Sequence, residues 1–179
     1  ARMADFVQRV LGKGVVYAKD TSNFIGNRIG IYAMMRTIHA MGELGYSLEE
    51  VDAIVGRPMG RPKSAAFRTA DVVGIDTFVH VAQNCYDALP DDPEREVFAI
   101  PAFLTGMVEK KLLGAKTKGG FYKKVGRDIM ALDLETLEYR PQVKPDLEGL
   151  KASKKAKGDL ATKLKVLIDS DDRAGKFAW

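Results

Sequence analysis

Apolar residues recur at helical spacing along most of the chain, and the period changes in only two places. Residues 1–12 (ARMADFVQRVLG) set Phe6, Val7 and Val10 on one side and finish on Gly12, the pattern of a helix end with a glycine stop. The next run, Gly14-Val15-Val16-Tyr17-Ala18, is short, apolar and β-branched, and reads as a strand. Asp20-Thr21-Ser22-Asn23 offers capping side chains before a long helix over about 23–44, which carries apolar groups around most of its circumference. Such a helix is expected at the centre of a bundle, with neighbours on several sides. Gly26 and Gly30 interrupt it at i, i+4 spacing, costing about 1 kcal/mol each relative to Ala and leaving a smooth groove for close approach.

Ser47-Leu48-Glu49-Glu50 has the form of a capping box and predicts a helix over 48–55 that stops at Gly56. A Gly/Pro-rich loop follows, and then helices over 63–72, 75–88 and 101–112, with a turn at Pro90-Asp91-Asp92-Pro93. After Gly119-Gly120-Phe121-Tyr122 the period becomes extended, and residues 129–139 suggest a small β-hairpin turning at Glu135-Thr136. Helical spacing returns over 146–169, broken near Gly158. The sum is a mainly α bundle with a small hairpin after it.

Composition changes this picture little. At 179 residues with 46% hydrophobic and 29% charged, the chain has an ordinary globular mix. A chain of this size buries roughly two thirds of its unfolded surface, so neither metal nor disulfide is required. The single cysteine, Cys85, has no partner for an internal disulfide and fits a reducing, cytoplasmic setting. Asn27, Arg28, Arg36 and His39 interrupt the long apolar helix and argue against a membrane span. The net charge of +4 suits anionic small molecules. The lysines between Lys151 and Lys165 lack aromatic platforms or a recognisable motif, so nucleic acid is not expected.

The chemistry-bearing residues are few. There is no G-x-G-x-x-G after a strand, no Walker loop, no G-x-S-x-G and no metal-ligand spacing. His39 and His80 fall on different helices, and Cys85 sits on an apolar helix face. What remains is a polar cluster at the start of the long helix: Thr21, Asn23, Asn27 and Arg28. A capping network would explain it, and so would a site, because an amide offers two donors and an acceptor.

Four ordered stretches then carry a resemblance. Asp20-Thr21-Ser22-Asn23-Phe24-Ile25-Gly26-Asn27-Arg28-Ile29 is similar to the D-T-P-G-F-x-x-N-R-[IL] segment of the 3-hydroxyacyl-CoA dehydrogenases. Glu49-Glu50-Val51-Asp52, Asp71-Val72-Val73-Gly74-Ile75-Asp76-Thr77 and Leu113-Gly114-Ala115-Lys116-Thr117-Lys118-Gly119-Gly120-Phe121-Tyr122 resemble three later motifs of the same family. The tail through Asp171-Asp172-Arg173-Ala174-Gly175 looks like the bacterial multifunctional fatty-acid oxidation type.

The resemblance implies a helical domain of the 6-phosphogluconate dehydrogenase C-terminal-like type. It implies oxidation of a 3-hydroxyacyl-CoA with NAD as cofactor, where NAD and the catalytic His–Glu pair belong to an upstream domain. Residues 1–19 would then be the tail of that NAD-binding domain, 20–124 the helical domain, and 125–179 a hairpin and helical extension. Asn27 takes the motif asparagine's catalytic position beside the substrate. Pro58, Met59, Gly60, Arg61 and Lys63 form the segment that lies near the substrate in relatives. The domain is expected to be inactive alone, and to pair with a second copy or a second helical repeat. This chain departs from the family in Ser22-Asn23, where Pro-Gly is usual, and in extra residues between Gly60 and Asp71. The rival expectation is a free-standing helical module that binds acyl-CoA or another anion without redox chemistry.

Overall fold

The computed structural model describes residues 2–179. Helix α1 (Arg2–Arg9) is amphipathic yet buries no residue, and Met3, Phe6, Val10 and Leu11 around it are exposed. The expected strand at 14–18 is absent; the segment is irregular, with Val16 and Tyr17 open to solvent. A strand exists through the backbone bonds of a neighbour, and among the described residues no neighbour pairs with this segment.

Helix α2 (Gly26–Leu44) starts three residues later than the spacing predicts. Asn23 and Phe24 adopt left-handed backbone angles (φ 63° and 49°), which no continuing helix allows. No side chain caps α2, so the capping expected of residues 20–23 is not realised. The turn is held instead by the backbone, with Phe24 N–H donating to the Thr21 carbonyl at 3.1 Å. Burial along α2 is one-sided in length: Met35, Ile38 and Met41 are enclosed, whereas Phe24, Ile25 and Ile29 are exposed. The helix is therefore central only over its second half. A Cβ added at Gly26 or Gly30 would meet nothing within 4 Å, so the expected smooth groove is open.

Helix α3 (Leu48–Val55) forms where the capping box predicts: Glu50 N–H donates to Ser47 Oγ, and Ser47 N–H donates to Glu50 Oε2 at 2.9 Å. A short 3-10 turn at Arg57–Met59 leads to α4 (Phe67–Val73), which begins later than expected, and then to α5 (Ile75–Ala88) and α6 (Ala102–Glu109). These helices enclose one core with Phe67, Phe78, Leu104 and Met107 buried. Each such side chain contributes about 1.5–3 kcal/mol on burial. Phe121 enters the core from the chain after α6, its ring 4.7 Å from that of Phe67.

The small sheet is three-stranded and antiparallel: β1 (Tyr122–Val125), β2 (Asp128–Leu132) and β3 (Tyr139–Pro141). The expected hairpin is its β2–β3 half. Its turn is closed by the Asp133 carboxylate, which accepts N–H bonds from Glu135 and Thr136 at 3.0 Å each. The closing helical stretch is broken as predicted into α7 (Glu148–Lys155) and α8 (Leu160–Ile168), with Gly158 between them. A further helix, α9 (Arg173–Ala178), is capped by Asp172, which accepts from Gly175 N–H.

This extension packs back onto the bundle. Arg173 pairs with Glu50 at 2.9 Å, donates to the Gly45 carbonyl at 2.8 Å and lies over the Tyr46 ring. Arg140 likewise holds Glu49, which is 5% exposed, with bonds of 2.6 and 3.0 Å. Burial pushes the Glu49 carboxyl up, but Arg140 and the Val143 N–H outweigh it, and the group stays below its ordinary value.

Candidate functional site

The left-handed turn at Asn23 and Phe24 delivers Asn27 to the first turn of α2, where its side chain is exposed. Its neighbours are committed elsewhere. Asn23 Nδ2 lies 3.1 Å from Cys85 Sγ on α5, and Arg28 is ion-paired with Asp92 in the loop beyond α5. Asp92 also accepts the Glu94 N–H at 2.9 Å, and Tyr32 donates to Glu94 at 2.6 Å. The Glu94 N–H and then Arg28 hold the Asp92 carboxyl below its usual range. Three fastenings thus tie the start of α2 to α5 and its loop. Of the polar cluster read from the sequence, Asn23 and Arg28 are engaged in the fold, Thr21 contributes its carbonyl to the turn, and Asn27 faces solvent.

The remaining chemical candidates are structural. Cys85 is buried, and burial pushes its thiol above the ordinary value, away from a reactive thiolate. The His39 ring nitrogen Nε2 sits 3.1 Å from the Val97 carbonyl, an acceptor, so this nitrogen carries the hydrogen. His80 is exposed. Among the described residues no group of histidine, cysteine and carboxylates is placed to hold a metal ion. No described helix is long and apolar enough to cross a membrane.

The loop at 57–63 is divided between two places. Pro58 lines a cavity of about 400 Å³ together with Arg57 and residues of α7 and α8. Leu160 of α8 sits directly on Gly60. Met59 is half-buried against the core, and Arg61 is exposed. Lys63 lines a separate cavity of about 390 Å³ with Glu49, Asp52, Arg68 and Tyr122. Asn27 lines neither cavity, so this chain alone does not bring the asparagine and the loop into one site.

Two residues that the motifs contain, but whose roles the sequence hides, are buried carboxylates. Asp71 accepts the backbone N–H groups of Phe121 and Tyr122 at 2.8 and 3.0 Å. Burial lifts its carboxyl to about 6 in spite of those donors. Asp52 accepts the N–H groups of Ala66 and Phe67 at 3.0 and 2.9 Å, and takes the Tyr122 hydroxyl hydrogen at 3.0 Å. Burial and the neighbouring Asp52 charge push the Tyr122 hydroxyl well above its usual value.

Gly114 and Gly120 exist because of Asp71. Gly114 has φ 89°, and a Cβ on either residue would overlap Asp71 atoms. Lys116 closes the same corner by pairing with Asp76 (Nζ to Oδ2, 2.6 Å). The later motifs therefore build a clamp that pins the chain after α6 onto α3 and α4. The available signal was an acid set in an apolar run, Ala70-Asp71-Val72-Val73, followed by a glycine pair fifty residues on.

A helical bundle closed by a small sheet through two buried carboxylate clamps, with an asparagine exposed at the start of its long helix, defines the class. The family model for 3-hydroxyacyl-CoA dehydrogenase, C-terminal domain, matches residues 24–124. A protein of Bacillus subtilis (strain 168) described as "Probable 3-hydroxyacyl-CoA dehydrogenase" is 54% identical over 177 residues, covering 99% of this chain and 22% of the relative. The crystal structure of M. tuberculosis FadB2 matches with a TM-score of 0.60 and 30% identity, over 69% of this chain and 42% of that one. The (S)-3-hydroxybutyryl-CoA dehydrogenase PaaH1 from Ralstonia eutropha matches with a TM-score of 0.56 and 25% identity, over 66% of this chain and 40% of that one. This chain belongs to the 3-hydroxyacyl-CoA dehydrogenase family and corresponds to its C-terminal domain. It spans about a fifth of the length of the Bacillus relative and about two fifths of the two solved chains.

Proposed function

We propose that this chain is the substrate-facing and assembly domain of an NAD-dependent 3-hydroxyacyl-CoA dehydrogenase of fatty-acid β-oxidation, and that it is inactive alone. The observation that carries the reading is Asn27, exposed in the first turn of α2 within the matched segment while its polar neighbours are engaged in the fold. Around it, Phe24 (58% exposed) and Ile29 (64% exposed) form an apolar rim with no cover in this chain. A cleft wall has this form when its opposite wall lies in another domain or subunit.

Oxidation at C3 of the acyl chain would pass the hydroxyl proton to the histidine of the upstream His–Glu pair and the hydride to NAD, both held outside this chain. This chain has no glycine-rich phosphate loop, so it does not hold NAD itself. Its share of the work is positional. The Asn27 amide hydrogen-bonds near the reacting end of the substrate, while the apolar rim excludes water from the cleft.

Residues 1–19 are the tail of the upstream domain, 20–124 the helical domain and 125–179 its extension. Met59, Gly60, Arg61 and Lys63, with Pro58, complete the substrate-facing surface once the partner domain is present. The bare apolar rim also favours contact with a second copy or a second helical repeat, and the setting is cytoplasmic. NAD reduction by the full-length protein with a 3-hydroxyacyl-CoA tests the reading. We expect activity in the full-length protein and none in the isolated chain; a full-length protein without activity would reject it.

A further inference from the structure

The turn that follows α3 is backed by a residue from outside the matched family segment. That segment ends at residue 124, and α8 lies beyond it. Backbone bonds shape the turn itself: Met59 and Arg61 N–H donate to the Gly56 carbonyl at 3.1 Å each, and Gly60 N–H donates to the Arg57 carbonyl at 3.0 Å. Gly60 takes the left-handed region at φ 72°, and so turns bare backbone toward α8. Leu160 fills the space left there. A Cβ built on Gly60 would have three Leu160 carbons as its nearest neighbours, with Cδ2 at 2.6 Å.

Leu160 is itself held in place. Asp159 caps α8 by accepting the Thr162 N–H at 2.9 Å, and buried Ser153 on α7 donates to the Lys163 carbonyl on α8 at 2.9 Å. Asp172 accepts the Gly149 N–H at 2.8 Å, which joins α7 to α9, and Arg173 of α9 is anchored on Glu50 of α3. The extension thus returns to the helix from which the turn departs. Beside the Leu160 contact the backing is incomplete: a cavity of about 400 Å³ lies between the turn and α7–α8, with Pro58, Leu150 and Leu160 along it. Truncating Leu160 joins the space over Gly60 to that cavity and frees the turn to move toward α8, a freedom that close packing otherwise denies.

We propose that Leu160 is a specificity-determining positioning residue, which sets how far the Pro58–Gly60 turn stands toward the acyl chain of the substrate. It touches no reacting atom and acts through Gly60. The specificity role rests on the function proposed above, in which this turn faces the substrate; the contact with Gly60 stands apart from it. Moving a pocket wall by the width of a methylene alters the relative rates of two chain lengths by about 10- to 200-fold. General loosening of the fold lowers both rates alike.

The test compares full-length wild type, Leu160→Ala and the volume-conserving Leu160→Met on 3-hydroxybutyryl-CoA and 3-hydroxyhexadecanoyl-CoA. Leu160 is half exposed, so its truncation leaves the buried core intact. In Leu160→Ala the ratio of kcat/KM, long chain over short, should rise about tenfold or more, chiefly through KM. Leu160→Met should bring it back to within about twofold of wild type. Hydrogen exchange of the same proteins gives a readout without catalysis: the Met59, Gly60 and Arg61 amides should exchange about tenfold faster in Leu160→Ala. An unchanged ratio, or an equal loss at both chain lengths, overturns the specificity role. Unchanged exchange in the folded variant overturns the contact as the support of the turn. A wild type inactive on both substrates removes the functional reading and the specificity role with it, and faster exchange in Leu160→Ala would then retain only the support of the turn.

Discussion

The two ends of this domain treat their polar and apolar groups in opposite ways. At the Asp52–Asp71 corner, both carboxylates are met by backbone N–H donors, the neighbouring glycines leave no spare volume, and Phe121 is fully buried. At the start of α2, apolar Phe24, Ile25 and Ile29 lie open and the Asn27 side chain faces solvent. Both regions carry family motifs. One is complete within the chain, and the other has the composition of an interior with half of it missing. A motif residue with internal partners reports on folding, and one without them is where the proposed function is open to test.

Substitutions should separate the two regions sharply. The largest effect is expected from Gly120→Ala, whose Cβ overlaps the Asp71 carboxylate and comes within 2.7 Å of Gly114 Cα. A loss of about 3 kcal/mol or more is expected in urea unfolding, because the clamp has no room to relax. Asp71→Asn keeps the shape but turns an amide N–H₂ toward a backbone donor. It should cost about 1–3 kcal/mol by the same measurement.

The clamp also has a pH signature. The folded-state carboxyl of Asp71 lies at about 6, above its ordinary value of 3.8. Its contribution to stability is therefore fully present below the unfolded value and is lost as pH rises through about 6. Glu49, Glu50 and Asp172 act in the opposite sense, because their folded values are lowered and their contribution disappears as pH falls. Melting temperature should therefore peak at mildly acidic pH, with an Asp71 contribution of about 1 kcal/mol on the upper limb. Asp71→Asn should flatten that limb; a profile identical to wild type would contradict the assignment. Smallest of all, Arg28→Ala removes a half-exposed ion pair and should change stability by no more than about 1 kcal/mol.

What the sequence disclosed follows the same division. The capping box at Ser47 and the apolar spacing of residues 75–88 are local signals, and both helices appear with the expected bounds. The break at Gly158 is equally local. The signals that misled depend on distant partners. Val15-Val16-Tyr17 has strand chemistry but no neighbouring strand among the described residues, and the polar side chains of Asp20, Thr21, Ser22 and Asn23 do not cap α2 because Asn23 and Phe24 turn left-handed. The roles of Asp52 and Asp71 were hidden because their partners lie 14 to 70 residues away. Asn27 was legible only through the family resemblance, since nothing in local spacing distinguishes it from a capping residue.

The rate of NAD reduction by the full-length protein carrying Asn27→Ala, scaled to the folded fraction, tests the role proposed for Asn27. A loss of about 10- to 1000-fold with an unchanged melting temperature is expected. An unaltered rate in the folded variant would contradict it and leave Asn27 as a surface residue of the first turn of α2.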